Sequence, residues 1–163
     1  MENCTIDNYY FYKQYHQHSV NKAIHFVFIP VLVFCIFNYL STIKPQLNIM
    51  RNFFLNRFVN KHLVYITLNI VYFSYYLLSM NAKIALVMML YFSVLYTFSF
   101  CFVHLNRNWI YMTNLLFVLG WVMQFVGHYI EGKRPALMDS LSQAFLEAPV
   151  FSLEYMFPGL LNK

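Results

Sequence analysis

The apolar positions of this chain fall into long uninterrupted blocks, and not into the alternation that marks a half-buried strand. Four runs, at residues 24–40, 63–79, 84–103 and 109–127, contain no Asp, Glu, Lys or Arg. Each holds 17 to 20 residues, within the roughly 17–25 that a helix needs to span a bilayer. The pattern predicts four transmembrane helices, with Pro30 a candidate kink in the first. The connections at 80–83 and 104–108 are short, so the second, third and fourth helices are expected to be antiparallel neighbours. Residues 41–62 carry Lys44, Arg51, Arg57 and Lys61 without an acid, as a solvated loop or short surface helix would. His62 and His104 are then expected in loops, away from chemistry.

Both ends differ from the middle. Residues 1–23 are polar and aromatic, and Tyr9, Tyr10, Phe11, Tyr12 and Tyr15 suit a segment lying at the lipid headgroups. Over 136–157, Leu137, Met138, Leu141, Ala144, Phe145 and Ala148 recur at helical spacing opposite Asp139, Ser142, Gln143 and Glu147. This predicts an amphipathic surface helix that Pro149 interrupts. Beyond it Glu154 is the one charge in VFSLEYMF, a candidate hydrogen-bond partner or an exposed carboxylate. The fold class expected is all-α: a single polytopic membrane domain over 1–163, with four spans and interfacial helices at both ends.

Composition agrees with that class and excludes others. Of the 163 residues 60% are hydrophobic, 21% aromatic and 10% charged, against roughly 25% charged in soluble domains. The net charge of +5 is scattered between apolar runs, which points to an anionic membrane surface and not to nucleic acid. Cys4, Cys35 and Cys101 lack framework spacing and imply no disulfide. The start, MENCTIDNYYFYKQYHQH, lacks the pattern of a signal peptide.

An even number of spans returns the N-terminal segment and the segment after Gly127 to the same side of the bilayer. His16, His25 and His128 can therefore meet there, while His62 and His104 emerge opposite. In WVMQFVGHYIEGKRPAL, residues Trp121 to Leu137, a helix reaching Glu131 puts Gln124, His128 and Glu131 at i, i+4 and i+7 on one stripe before Gly132 and Pro135 stop it. At the other end, a helix capped by Ser19 leaves His16 in the preceding turn with Asn21 and His25 on one face. An earlier start would align His18, Asn21 and His25 instead. Three imidazoles with Glu131, Asn21 and Gln124 offer what a divalent transition metal prefers. The other readings are a structural scaffold or lipid-binding protein, and a zinc-dependent lipid hydrolase. No P-loop, G-x-S-x-G elbow or Gly-rich dinucleotide turn is present.

Two blocks carry a family resemblance. Tyr15-His16, Asn21 and His25, followed by an apolar run with Pro30, resemble the N-terminal signature of the Mpo-type 2-hydroxy fatty acid dioxygenases. Trp121, Gln124, Gly127, His128, Glu131, Pro135, Ala136, Leu137, Asp139, Gln143, Ala148, Pro149 and Glu154 match that family's second block. The likeness covers roughly residues 9–40 and 109–157. His18 departs from it, and leaves open whether it replaces or joins His16. The resemblance implies an iron(II)-dependent enzyme of the endoplasmic reticulum membrane that uses O2 to shorten 2-hydroxy fatty acids by one carbon, as in phytosphingosine degradation. It implies His16, His25 and His128 as metal ligands and Glu131 as a further ligand or proton acceptor. Asn21 and Gln124 would orient the site, with Arg134 or Lys133 facing the substrate carboxylate.

Overall fold

The computed structural model describes residues 9–43 and 53–161 and is all-helical, with no strand among the described residues. A short helix, α1, covers residues 9–14. The long helices are α2 (Ser19–Leu40), α3 (Phe53–Ser79), α4 (Ala82–Leu105) and α5 (Trp109–Glu131). A 3-10 turn at Ala136–Met138 leads into α6 (Leu141–Met156). Lys44 and Arg51 of the expected basic loop lie outside the described residues, and Arg57 and Lys61 belong to α3.

Helices α2, α4 and α5 are long and apolar enough to cross a membrane. The remaining predicted span lies within α3, whose 27 residues include Asn60, His62, Asn69 and four tyrosines. Their side chains find partners inside the bundle: Asn69 Nδ2 donates to Tyr65 Oη at 2.7 Å, and the Tyr65 hydroxyl to Ser93 Oγ at 2.7 Å. The ring of Tyr65 stacks on Tyr96 with centroids 3.8 Å apart.

At the centre is α2, packed by α5, α4 and α6. It pairs with α5 in antiparallel fashion. Near its C-terminal end Asn38 Nδ2 donates to Thr113 Oγ1 at 3.0 Å, while Ser99 Oγ of α4 donates to Asn38 Oδ1 at 2.6 Å. Such interhelical bonds contribute about 0.6 kcal/mol each in a bilayer, and this buried knot fixes the register of three helices. Along the seam α5 presents Thr113, Gly120 and Gly127, all buried and seven residues apart. A Cβ on Gly120 would stand 2.8 Å from Leu32 Cδ2, and one on Gly127 only 2.3 Å from Asn21 Oδ1. The glycines therefore set how closely the helices approach.

Four expectations are corrected. α4 and α5 are joined by a short turn but share no substantial face, because α5 folds back onto α2. His62 and His104 stand inside helices: His62 of α3 meets the Tyr96 hydroxyl, and His104 in the last turn of α4 bonds the Phe100 carbonyl oxygen through Nδ1 at 2.7 Å. α6 continues through Pro149. Its buried face carries Glu147, Ala148, Val150, Phe151 and Ser152, whereas Leu141 and Phe145 are exposed. Of the predicted stripe Met138, Leu141 and Phe145 thus face outward and Ala148 inward; large apolar side chains turned outward suit lipid and not water.

Tyr9 and Tyr12 are also core residues and not surface anchors, being 2% and 3% exposed, whereas Tyr10 and Phe11 point out. The Tyr9 hydroxyl meets a carboxylate oxygen of Glu154, which also pairs with Lys13 at 3.1 Å, so α1 is pinned to α6.

Candidate metal centre

His18 ends the ambiguity at the start of α2. It is the N-cap, its Nδ1 accepting the Val20 N–H at 3.2 Å, and it is exposed. That leaves His16 in the turn before the helix and puts Asn21 and His25 on the buried face. At the other end α5 runs to Glu131, and Gly132 closes it in the left-handed conformation, φ 71°, with its N–H donating to the Tyr129 carbonyl. Glycine adopts that backbone without penalty. The close seam then brings His128 of α5 against His25 of α2.

His16, His25 and His128 form one buried group. They are 0%, 2% and 5% exposed, and one ligand atom from each lies within 4.8 Å of the others. Ring centroids are 4.3 Å apart for His16 and His25, 4.8 Å for His16 and His128, and 5.0 Å for His25 and His128. The tautomers follow from the backbone. His16 Nδ1–H donates to the Tyr12 carbonyl at 2.9 Å, and His25 Nδ1–H to the Asn21 carbonyl at 3.0 Å. Both Nε2 atoms therefore carry lone pairs, and they face each other at 2.9 Å. Two lone pairs at that distance repel unless a cation lies between them. Carbonyl bonds of this kind are how metal-binding histidines are oriented.

Burial pushes His16 down to about 4, against the opposing effect of the Tyr12 carbonyl. The ring is thus neutral at physiological pH, the state a metal requires. Nδ1 of His128 is buried without a partner, as is Nε2 of Gln124 one turn earlier; buried polar atoms are rarely left so. The donor set, imidazole in an apolar shell, fits a divalent transition metal, and His16, His25 and His128 could hold one.

Glu131 is not in the group of ligand atoms. Its Oε1 accepts the Gln17 N–H at 2.8 Å, and its Oε2 the His18 N–H at 2.7 Å and Asn21 Nδ2 at 3.3 Å. A carboxylate here also faces the positive end of α2. Arg134 pairs with Asp139 at 2.7 Å, and Asp139 accepts the Tyr15 hydroxyl at 2.8 Å. Lys133 Nζ donates to the Gln14 carbonyl at 2.5 Å and borders a surface recess beside His128. Glu131 and Lys133 tie the two chain ends together directly, and Arg134 does so through Asp139.

Sequence reasoning missed the roof of the site. Phe151 of α6 is 3% exposed and lies against His16, His25 and Tyr12, with ring centroids at 4.8, 6.3 and 5.5 Å. Tyr12 also stacks on His16 at 4.5 Å. The spacing of Tyr9, Tyr12 and His16, at i, i+3 and i+7, was the available signal for Tyr12.

Beneath the histidines lies a cavity of about 350 Å3, which His25, Gln124 and His128 line at one end and Leu40, Val64 and Tyr65 at the other. Its remaining walls are almost wholly apolar, with Ile29, Val33, Phe92 and Trp121 among them. The size is at the lower end of small-molecule sites.

The fold and site define a class: an α-helical protein with membrane-capable helices, a buried three-histidine group able to hold a metal, and an apolar cavity leading away from it. The chain belongs to the Mpo1-like family, whose model, described as 2-hydroxy-palmitic acid dioxygenase Mpo1-like, matches residues 3–159. It is also 30% identical over 150 residues to the 2-hydroxy-palmitic acid dioxygenase MPO1 of Saccharomyces cerevisiae, covering 90% of this chain and 76% of that protein. No solved structure matches the chain.

Proposed function

We propose that the protein is an iron(II)-dependent dioxygenase that shortens long-chain 2-hydroxy fatty acids by one carbon. The observation that carries this reading is the pair of Nε2 lone pairs, 2.9 Å apart with both Nδ1 atoms tied to carbonyls, at the head of an apolar cavity. The chemistry named for the yeast relative supports it. The overall reaction balances with dioxygen alone. A 2-hydroxy acid plus O2 gives the acid one carbon shorter, CO2 and water, so four electrons leave the substrate and four enter O2. No nucleotide reductant is required.

The ion, held by His16, His25 and His128, would supply a chelation site for the vicinal hydroxyl and carboxylate and a place for O2 to react. The chain's own residues have separate tasks. Gln124 lines the cavity with an amide N–H2 that lacks a partner, a donor suited to a substrate oxygen. Glu131 and Asn21 are positioning residues: they fasten the 17–21 backbone to the end of α5 and so hold His16 and His25 against His128. Phe151 excludes water from above. Lys133 is the cation best placed to face the carboxylate, since it borders the recess beside His128, while Arg134 is engaged by Asp139.

In this reading α3 is a fourth span, the 9–23 and 136–157 segments lie at one membrane face, and the membrane is that of the endoplasmic reticulum, as the family resemblance implies. Anaerobic loading of purified protein with iron(II), then addition of O2 and a 2-hydroxy acid, should give the shortened acid by mass spectrometry. No product despite stoichiometric iron would overturn the reading. Product from a 2-hydroxyacyl amide or ester without O2 would instead indicate a hydrolase.

A further inference from the structure

At its far end the main cavity adjoins a second space. Phe37, Leu40, Val64 and Tyr65 line its far end and also line a second, smaller pocket of about 50 Å3, whose other walls include Ser41, Ser99 and His104. These four side chains are a septum between the two spaces. Two of them are held rigidly. Tyr65 is stacked on Tyr96 and hydrogen-bonded to Ser93, and Phe37 meets Tyr65, Phe92 and Tyr96 edge-on at centroid distances of 5.9, 6.3 and 6.0 Å. Leu40 and Val64 complete the wall with aliphatic groups.

We propose that this septum is the acyl-chain ruler of the site, and that Leu40 and Val64 set the longest chain accepted. The inference rests on the dioxygenase reading for the identity of the head group. The length follows from α2, which runs the whole depth of the cavity. From His25 to Leu40 is 15 residues, or about 22 Å at about 1.5 Å per residue. An extended chain advances about 1.2 Å per bond, as the polypeptide's own reach shows, so the cavity takes a straight chain of roughly eighteen carbons before it meets the septum. Beyond that wall lies space for roughly three to five more atoms, at about 10–15 Å3 of such volume for each group of water size.

The test is a homologous series of straight-chain 2-hydroxy acids presented to full-length, iron-loaded protein. Both turnover and ligand-induced thermal stabilisation are measured for wild type, Leu40→Phe, Val64→Phe, and the double variant Leu40→Ala/Val64→Ala. The Phe variants should move the optimum to shorter acids, with a loss of about fourfold in kcat/KM per methylene that no longer fits. The Ala pair should extend the longest accepted chain by roughly three to five carbons. Iron content should be unchanged in all, since none of these side chains belongs to the metal centre. A length profile that stays the same in both directions, with iron retained, would overturn the ruler. If wild type binds the acids with a length cut-off that the variants shift, yet converts none of them, the ruler stands and the dioxygenase reading fails.

Discussion

Gly127→Ala, alone and in an Asn21→Ala background, tests the close seam on which the site depends. A Cβ at 127 would lie 2.3 Å from Asn21 Oδ1, 3.3 Å from its Cγ and 3.5 Å from Ile24 Cγ2. Ordinary contact requires about 1 Å more, a displacement in the range that costs roughly 100-fold where catalytic geometry is strict. Asn21 can yield only by giving up its bonds to Glu131 and to the Tyr15 carbonyl, or by pushing α2 away from α5. Overpacking of this kind costs about 1–3 kcal/mol, offset by about 1 kcal/mol from replacing glycine with alanine inside a helix. The single variant should therefore be destabilised by about 1 kcal/mol and lose bound iron and turnover together.

Removing the Asn21 side chain takes away the clashing atom, so the same Gly127→Ala change should then stabilise by up to about 1 kcal/mol. The coupling between the two sites is expected at about 2 kcal/mol, well above the roughly 0.5 kcal/mol within which independent sites add. Unfolding in detergent with iron analysis of each of the four proteins measures it. Additive effects, or a Gly127→Ala protein that is both more stable and fully loaded with iron, would refute the reasoning.

Single replacement of His16, His25 or His128 by alanine should abolish iron binding by elemental analysis and turnover with it, whereas His62→Ala and His104→Ala should leave both within about twofold of wild type, allowing for context effects of that size. Phe151→Ala should destabilise by about 3–5 kcal/mol, as large aromatic truncations in cores do, and weaken iron retention; a fully loaded, equally stable variant would show that the roof is unimportant. Glu147 is fully buried, one oxygen accepting the Tyr75 hydroxyl at 2.6 Å and the other without a partner. Burial raises its carboxyl above the usual range, against the opposing Tyr75 bond. The folded state therefore holds this proton more tightly than the unfolded chain, and the stability that this contributes at low pH is lost as pH rises through the folded value. Glu147→Gln should accordingly be more stable than wild type at neutral pH, with the gap closing below about pH 4.3, the ordinary Glu value; a constant gap across a pH series of melting curves would contradict it.

The histidine group was legible because its residues sit at the boundaries of apolar runs, and the antiparallel pairing of α2 with α5 brings the start of one beside the end of the other. Gln124, His128 and Glu131 could be put on one stripe because α5 persists to Gly132. What periodicity could not show was direction. On α6 the apolar positions suited a helix lying along the membrane, but periodicity gave no sign that the opposite face would be buried, where Glu147 and Ser152 find internal partners. The pairing of α5 with α2 and not with α4 was likewise hidden by the short 104–108 turn, although Thr113, Gly120 and Gly127 at sevenfold spacing mark a close-packing seam. Glu131 shows a third limit: residue type suggested chemistry, while only the fold reveals that its oxygens are already taken by Gln17, His18 and Asn21.

The α2–α5 pair explains how a histidine group able to hold a metal and an apolar cavity can share one small bundle. Polar contacts secure the pair at both ends. Asn38, Thr113 and Ser99 close the one furthest from the histidines, and Asn21 and Glu131 close the other. Between them the seam is held by glycines and aliphatic side chains, so no polar group is needed along the cavity walls beside it. A chain without the far knot would still bring His25 near His128, but its helices could slide, and a slide of one residue moves a side chain by about 1.5 Å along the axis and 100° around it. That displacement would carry His25 off the shared Nε2 geometry, which is why Asn38→Ala, 13 residues from the nearest histidine on its own helix, is expected to lower iron occupancy as well as stability.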